Sequence, residues 1–352
     1  MSTLSAVFPT LLDIARGLDP KGRAAMVAEV LQQYNAMLDD IPWVEGNLPT
    51  GHQSTIRTSK PAGSFRLLNS GVLPTKSTTG VITNTCAILE AWSQIDVDMP
   101  FNGDLAGFRF QQERGFMEGL SDTFASKLIY GDSGTTPEEF DGFASRYFSL
   151  GTTYTTSTQL IDAGGDGTDN MSIWLVCWGP GKVYGIYPKG SKAGLNMEDH
   201  GEVTITDPNN AGYFMRVYES KFQWKCGIAV DDYRYVARIC NIDRSNLLTA
   251  SDGSDTSANI LKYMSQALDY LPPDSNVRPV FYMNRDTMSM LRIKMQDKSN
   301  LQLTTDGLAY GIDGITRRPT LQFQGIPCRR MDSLTYTETE ITAGTTGPAS
   351  VS

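Results

Sequence analysis

The sequence predicts an α+β fold, and three features carry that prediction. A 3.6-residue apolar period runs from Leu105 to Tyr130, long enough for one helix of about seven turns. Between Gly151 and Arg244, strand-length segments recur and are punctuated by Gly or Pro. From Trp43 to Trp92, Gly, Pro, Ser and Thr crowd around short β-branched runs, the pattern of a long two-stranded ribbon.

Composition bounds the answer. The chain has 352 residues, 40% of them hydrophobic, and 33 glycines. At about 150 residues per domain, two or three domains with a substantial core are expected, and a disordered tail protein is excluded. The longest clean apolar run, Ile173 to Trp178, is six residues, against the roughly 20 that a helix needs to cross a bilayer. Met1-Ser2-Thr3-Leu4 has neither a basic n-region nor an adequate h-region, so no signal peptide is expected. A net charge of −9 disfavours nucleic-acid binding through a basic face. Cys86, Cys177, Cys226, Cys240 and Cys328 are scattered without a CxxC pair, which fits buried free thiols in a reducing compartment.

Taken in order, the first element is a helix over residues 20–38. Asp19 suits its N-cap and Pro20 its first turn. Val27, Val30, Leu31, Tyr34 and Leu38 share one face, and Asp39, Asp40 and Pro42 stop it. The ribbon follows, with strands around Thr55–Thr58 and Gly80–Thr83, each of roughly 17 residues and about 55 Å long, joined across Pro61 and Pro74. Few core-sized residues occur between Gly51 and Lys60 or between Lys76 and Gly80, so such a ribbon has to lie on an outside surface. In the long helix, Leu105, Phe108, Phe116, Leu120, Phe124 and Leu128 form the apolar face, with Gly131 at C′. A short helix is predicted at Pro137 to Phe148, capped by Thr136. Strands are predicted at Ser172–Val176, Lys182–Tyr187, Glu202–Thr206, Tyr213–Tyr218 and Tyr235–Ile242. A helix at Thr256–Leu271 takes Asp255 as its cap and Pro272-Pro273 as its stop. Then come a strand at Pro279–Met283, a helix capped by Asn284 or Asp286, and a strand pair at Leu321–Phe323 and Ile326–Met331.

Catalytic and metal chemistry is poorly represented. His52 and His200 each lack a second histidine at ligand spacing and read as surface side chains. Gly131-Asp132-Ser133-Gly134 resembles the nucleophile segment of chymotrypsin-like proteases, and His52, Asp96 and Ser133 follow that family's order. The segment closes a helix, however, and Thr135 replaces the second glycine, so it reads as a turn. Asp162 to Asp169 lacks the alternating acids and terminal Glu of a calcium loop. No Walker A or GxGxxG follows a predicted strand. Trp174 and Trp178 read as strand core. No catalytic residue, metal or cofactor is assigned.

Charge is unevenly distributed. Between Glu45 and Glu90 there is no acidic residue, while Arg57, Lys60, Arg66 and Lys76 give +4. From Glu90 to Asp141, eleven acidic residues stand against three basic ones, giving −8. The basic ribbon of one copy is expected to lie across the acidic helix of another, with Glu113, Glu118 and Asp122 facing the four cations. Folding of the ribbon onto its own chain is the alternative. Exposed pairs give only about 0–1 kcal/mol each, so the charges would set register.

Pro42 to His52 (PWVEGNLPTGH), Phe65 to Thr79 (FRLLNSGVLPTKSTT) and Ile88 to Asp98 (ILEAWSQIDVD) resemble the major capsid proteins of short-tailed bacteriophages of the epsilon-fifteen and Bordetella-phage type. Val280 to Asp286 and Phe323 to Cys328 are similar to the wider Hong Kong 97-like capsid superfamily. The resemblance spans about residues 15 to 335. It implies a Hong Kong 97-like fold: an N-terminal arm (1–41), an extended loop (42–100), a peripheral domain (101–151) with spine helix 105–130, an axial domain (152–318), and return strands with a tail (319–352). It further implies self-assembly into hexamers and pentamers of an icosahedral shell around double-stranded DNA, without sequence-specific binding. Assembly in the host bacterial cytoplasm and residence in the virion head follow. With no long helical segment ahead of the arm, a separate scaffolding protein is expected. A portal protein and a decoration protein are further partners by the same analogy, and no membrane is involved. Rival readings are a decoration or tail structural protein, and a hydrolase using Ser133.

Overall fold

The computed structural model describes residues 33, 35–99, 105–152, 154–207, 212–249, 259–273, 278–294, 303–305 and 321–344. Fourteen strands occur among them: β1 (Trp43–Glu45), β2 (Gly51–Ser59), β3 (Thr78–Thr85), β4 (Ala87–Asp96), β5 (Leu160–Asp162), β6 (Asn170–Trp178), β7 (Val183–Tyr187), β8 (Leu195–Thr206), β9 (Phe214–Val230), β10 (Val236–Asp243), β11 (Arg278–Met283), β12 (Leu303–Thr305), β13 (Leu321–Phe323) and β14 (Ile326–Arg330). The main helices are α1 (Leu105–Tyr130), α2 (Arg244–Thr249), α3 (Ile260–Tyr270) and α4 (Arg285–Lys294). The chain divides into two compact units. The described residues of the first fall chiefly in Ile88–Ala125 and Lys192–Lys225; those of the second fall in Tyr34–Ala87, Ser126–Ser191 and Cys226–Ser352.

In the first unit, β8 runs antiparallel to the first half of β9, from Leu195 opposite Trp224 to Thr206 opposite Phe214, with a bulge between Asp199 and Gly201. β4 lies on the other side of β9. Strand alternation gives this sheet two chemically distinct faces. On one, Phe116 of α1 stacks on Phe222 at 5.9 Å and Phe124 meets Trp224 at 4.5 Å. On the other, Lys221 lies 5.3 Å above the Trp92 ring and pairs with Glu90 at 3.3 Å.

The second unit is organised on β6, which is buried at every residue. β10 and β11 flank it antiparallel, with Val236 and Val280 each opposite Val176. β14 runs parallel to β11, and β13 antiparallel to β14. On the further side, β6 meets β7, which pairs antiparallel with the end of β9 and parallel with β1. The odd-numbered residues Met171, Ile173 and Leu175 join Ile260, Met264 and Ala267 of α3 and Met288 and Leu291 of α4 in one core. The even-numbered Trp174 and Trp178 point the other way. There Phe143 and Tyr147 pack on Trp174, and Trp178 donates Nε1–H to the Tyr282 hydroxyl at 2.7 Å.

That second face also carries a buried ion pair. Arg238 bonds Glu338 at 2.8 Å, donates to the Tyr147 carbonyl at 2.7 Å and to Ser172 Oγ at 3.1 Å, and lies 4.8 Å above the Trp174 ring. Glu338 also accepts from the Ser172 hydroxyl and from the Tyr130 hydroxyl at the end of α1. The C-terminal segment is thereby fastened to β6, β10 and α1.

Helix α1 has the bounds its periodicity predicts, and Phe108, Leu120, Phe124 and Leu128 are buried. Gly131 ends it for a different reason from the one expected. A Cβ there would lie 2.4 Å from the Phe140 carbonyl oxygen and 2.5 Å from that of Lys127, so the glycine permits a close approach. The same approach replaces the predicted helix at 137–148 by a single turn, Phe143–Arg146: Gly142 donates to the Gly131 carbonyl at 2.9 Å, pulling the segment against the end of α1. The ribbon strands are 9 and 8 residues, half the expected length, because the proline- and glycine-bearing stretch 60–77 pairs with nothing. β8 and β9 are conversely longer than expected, at 12 and 17 residues. Asn259 caps α3, its side chain accepting from Lys262 N, and Asn284 Oδ1 caps α4 by accepting from Thr287 N. Gln324 and Gly325 both have positive φ, the geometry of a two-residue hairpin turn between β13 and β14. The predicted helix 20–38 is not helical at its described residues 33, 35 and 36, because Asn35 forms a β-bridge to Met331, and only the turn Met37–Asp40 follows; its earlier residues and the Asp19 and Asp255 caps lie outside the described residues.

Two stability outcomes follow. Glu338→Ala strands the buried Arg238 guanidinium and is expected to cost about 3–5 kcal/mol in urea unfolding of the unassembled protein. Gly131→Ala is expected to cost about 1–3 kcal/mol through the clash with Phe140, read as a lowered Tm.

Candidate functional site

Among the described residues, the ribbon of β2 and β3 is a sheet of two strands. Its root is built by close backbone approach. A Cβ on Gly51 would lie 2.1 Å from the Asn84 carbonyl oxygen, and one on Gly46 would lie 2.3 Å from that of Gly51. The Asn47 side chain mimics a strand edge, donating to the Gln53 carbonyl at 2.7 Å and accepting from its N–H at 2.8 Å. Cys86 N–H bonds the Thr50 carbonyl at 2.9 Å. The pairing runs outward from Gly51 opposite Thr85 to a bulge between Arg57 and Ser59. There the Thr58, Ser59 and Thr78 hydroxyls close the stem, at 2.8 and 2.7 Å.

Beyond the bulge the chain leaves its own protein surface. Every residue from 57 to 79 is exposed. A turn forms where Ser70 N–H bonds the Leu67 carbonyl at 3.2 Å with Asn69 at φ 65°. Around it Phe65 is 108% exposed, Leu68 91%, and Leu67 and Leu73 81%. The ribbon is polar along its stem, as expected, but its tip carries a cluster of large exposed apolar side chains.

Arg57, Lys60, Arg66 and Lys76 are all exposed, and none forms an ion pair among the described residues. Arg66 makes one long bond of 3.4 Å to the Ser70 carbonyl. The three acids of α1 belong to the first unit and the four cations to the second. Glu113 accepts from Ser220 Oγ at 3.1 Å and lies 3.7 Å from Arg109, with its side chain 13% exposed. Glu118 pairs with Arg114 at 3.1 Å. Asp122 is half-buried.

Other sequence candidates resolve into structural roles. Ser133 donates its hydroxyl to Asp141 Oδ1 at 2.7 Å, so a carboxylate occupies the place where a nucleophilic serine needs an imidazole. The His52 ring packs edge-on to Tyr184, and Asp96 accepts from Asp98 N–H within its own turn. Asp162 Oδ1 accepts from Gly164 N–H and from Asn241 Nδ2, which ties the acidic loop to β10. His200 is an exposed surface side chain, as expected, held between two acids. It bonds Glu219 at 2.8 Å and lies 3.7 Å from Glu198, and the bond to Glu219 raises its pKa. Burial pushes the thiols of Cys177, Cys240 and Cys328 up to about 12, and that of Cys86 to about 11.

The family model described as "Major capsid protein GP7" matches residues 19–342. No curated protein matches. Among solved structures, a chain of bacteriophage Epsilon15 is similar at 29% identity with a TM-score of 0.78, covering 97% of this chain and 100% of that one. The capsid of bacteriophage JBD30 is similar at 9% identity with a TM-score of 0.44, covering 87% and 93%. An SrpI encapsulin complex from Synechococcus elongatus is similar at 10% identity with a TM-score of 0.40, covering 62% and 92%. A described fold that projects an uncovered ribbon, and a family match over nearly the whole chain, lead to one conclusion: the chain belongs to the major capsid protein GP7 family, has the Hong Kong 97-like capsid fold, and is a structural protein of the bacteriophage head shell.

Proposed function

We propose that the ribbon of each copy docks on a neighbouring copy and that this contact drives shell assembly. The observation that carries this reading is the full exposure of Phe65, Leu67, Leu68 and Leu73 on a stem whose own chain stops covering it at residue 57. Burying side chains of this size is worth about 1.5–3 kcal/mol each, against about 0–1 kcal/mol for an exposed ion pair. The apolar tip therefore supplies the larger part of the contact, while Arg57, Lys60, Arg66 and Lys76 set its register. On the receiving copy, Glu118, paired with Arg114, and the half-buried Asp122 are the acids of α1 facing the cations; Glu113 is committed to Arg109 and Ser220.

In this reading residues 1–41 form the arm, 42–100 the extended loop, 101–151 the peripheral domain on α1, 152–318 the axial domain and 319–352 the return strands and tail. Hexamers and pentamers arise from head-to-tail contacts repeated around closed rings. The acidic chain suits a container that holds double-stranded DNA without gripping it. A scaffolding protein, a portal protein and a decoration protein complete the partners, and the role is structural, with no reaction assigned.

Deleting Thr58–Thr78, or combining Phe65→Ser, Leu67→Ser and Leu68→Ser, is expected to leave a folded protein by circular dichroism that sediments as small species. Normal shells by electron microscopy would refute the docking. Arg66→Glu with Lys76→Glu is expected to slow assembly in light scattering at low salt, with the defect shrinking as salt is raised.

A further inference from the structure

The geometry points to Arg146 as the positioning residue that aims the ribbon, holding strand β3 to the body of the second unit through the side chain of Asn84. This rests on the reading that the ribbon docks on a neighbour, but its structural basis is independent of it.

Arg146 closes the helical turn Phe143–Arg146. Its Nη1 donates to Asn84 Oδ1 at 2.8 Å. Its Nε and Nη2 donate to the Asp141 carbonyl at 3.4 and 3.2 Å, and Nη2 also reaches the Ile228 carbonyl at 3.4 Å. One guanidinium thus joins the loop after α1, the end of β9 and the ribbon. Arg146 keeps some surface in contact with solvent, yet the guanidinium is desolvated enough to lower its pKa, with the Asp141 carboxylate opposing that shift. Its planar fork serves three acceptors that a lysine could not hold together.

Asn84 is 1% exposed and stands opposite His52 in the ribbon register, two residues before Cys86 separates β3 from β4. Close packing at Gly51 and at Gly227, whose Cβ would lie 2.6 Å from the Thr85 carbonyl oxygen, fixes where the backbone passes. With the edge-on packing of His52 against Tyr184, those contacts hold the root from the β2 side and at its backbone. The Asn84 side chain reaches sideways from β3, so its bond to Arg146 adds a lateral tie on that strand that opposes tilting of the ribbon at its root. The lever is long: nine residues of β2 span about 30 Å, so a tilt of about 10° at the root moves the far end by about 5 Å, one inter-strand spacing. A tip displaced that far misses the surface it would cover.

The test uses full-length unassembled protein carrying Asn84→Leu, which keeps side-chain volume without the acceptor, and Asn84→Asp, which keeps the acceptor. Hydrogen exchange is read at residues 52–57 and 79–84, and assembly by sedimentation and electron microscopy. Asn84→Leu is expected to speed exchange in the ribbon at least tenfold, leave β6 and β10 protected, and give open or misshapen particles, while Asn84→Asp retains the wild-type behaviour. Unchanged ribbon exchange in Asn84→Leu overturns the clamp. Faster exchange with normal shells overturns its role in assembly. Should Asn84→Leu fail to fold, Arg146→Lys is read the same way, with the same two outcomes. Failure of docking itself shows separately, as normal shells from the Phe65→Ser, Leu67→Ser and Leu68→Ser tip variant, and leaves the exchange result to decide the clamp.

Discussion

Burial of β6 on both of its faces is the constraint from which the second unit is built. A strand with nine consecutive buried residues needs a layer of side chains above and below it. Helices α3 and α4 supply one layer. The other comes from segments with little regular structure, including the aromatic turn around Phe143 and Tyr147 and the C-terminal segment held by Glu338. Polar atoms within that layer have to be paired, and Arg238 meets the need for Glu338, Ser172 and the Tyr147 carbonyl at once.

The same irregular layer also supports the ribbon. The turn that presents Phe143 to Trp174 presents Arg146 to Asn84, so core packing and ribbon direction share a few residues. Outward from the bulge at Arg57 the balance reverses. Stem hydroxyls bond each other, tip side chains bond almost nothing, and the apolar surface at Phe65 and Leu68 can leave water only against another molecule. The subunit is therefore rigid where it starts the ribbon and unsatisfied where the ribbon ends, an arrangement suited to a repeated contact between copies.

Legibility differed from element to element for physical reasons. α1 is legible to the residue because apolar side chains recur at three- and four-residue multiples up to the glycine at 131. The 137–148 segment misled because Phe140, Phe143 and Tyr147 have helical spacing, yet they reach the core from a chain bent by the Gly131–Gly142 approach. β9 was under-read because its side chains change environment along its length, so no single alternation runs through its 17 residues. In the ribbon, the absence of acid and the four cations are plain in the sequence, while the apolar tip lies among Ser, Asn, Gly and Pro residues whose turn signals mask it.

The sequence by itself determined the class of elements, the position of the long helix, the acid-free ribbon and, through its motifs, the capsid family. These are local or cumulative properties, set by periodicity, turn residues and charge. Only the tertiary structure decided that Glu113 belongs to Arg109 and Ser220, that Ser133 is spent on Asp141, and that Arg146 meets Asn84. Each of the contacts to Ser220 and Asn84 joins residues more than sixty positions apart, and no local pattern records which distant side chain a polar group meets once the backbone has been folded around a shared core.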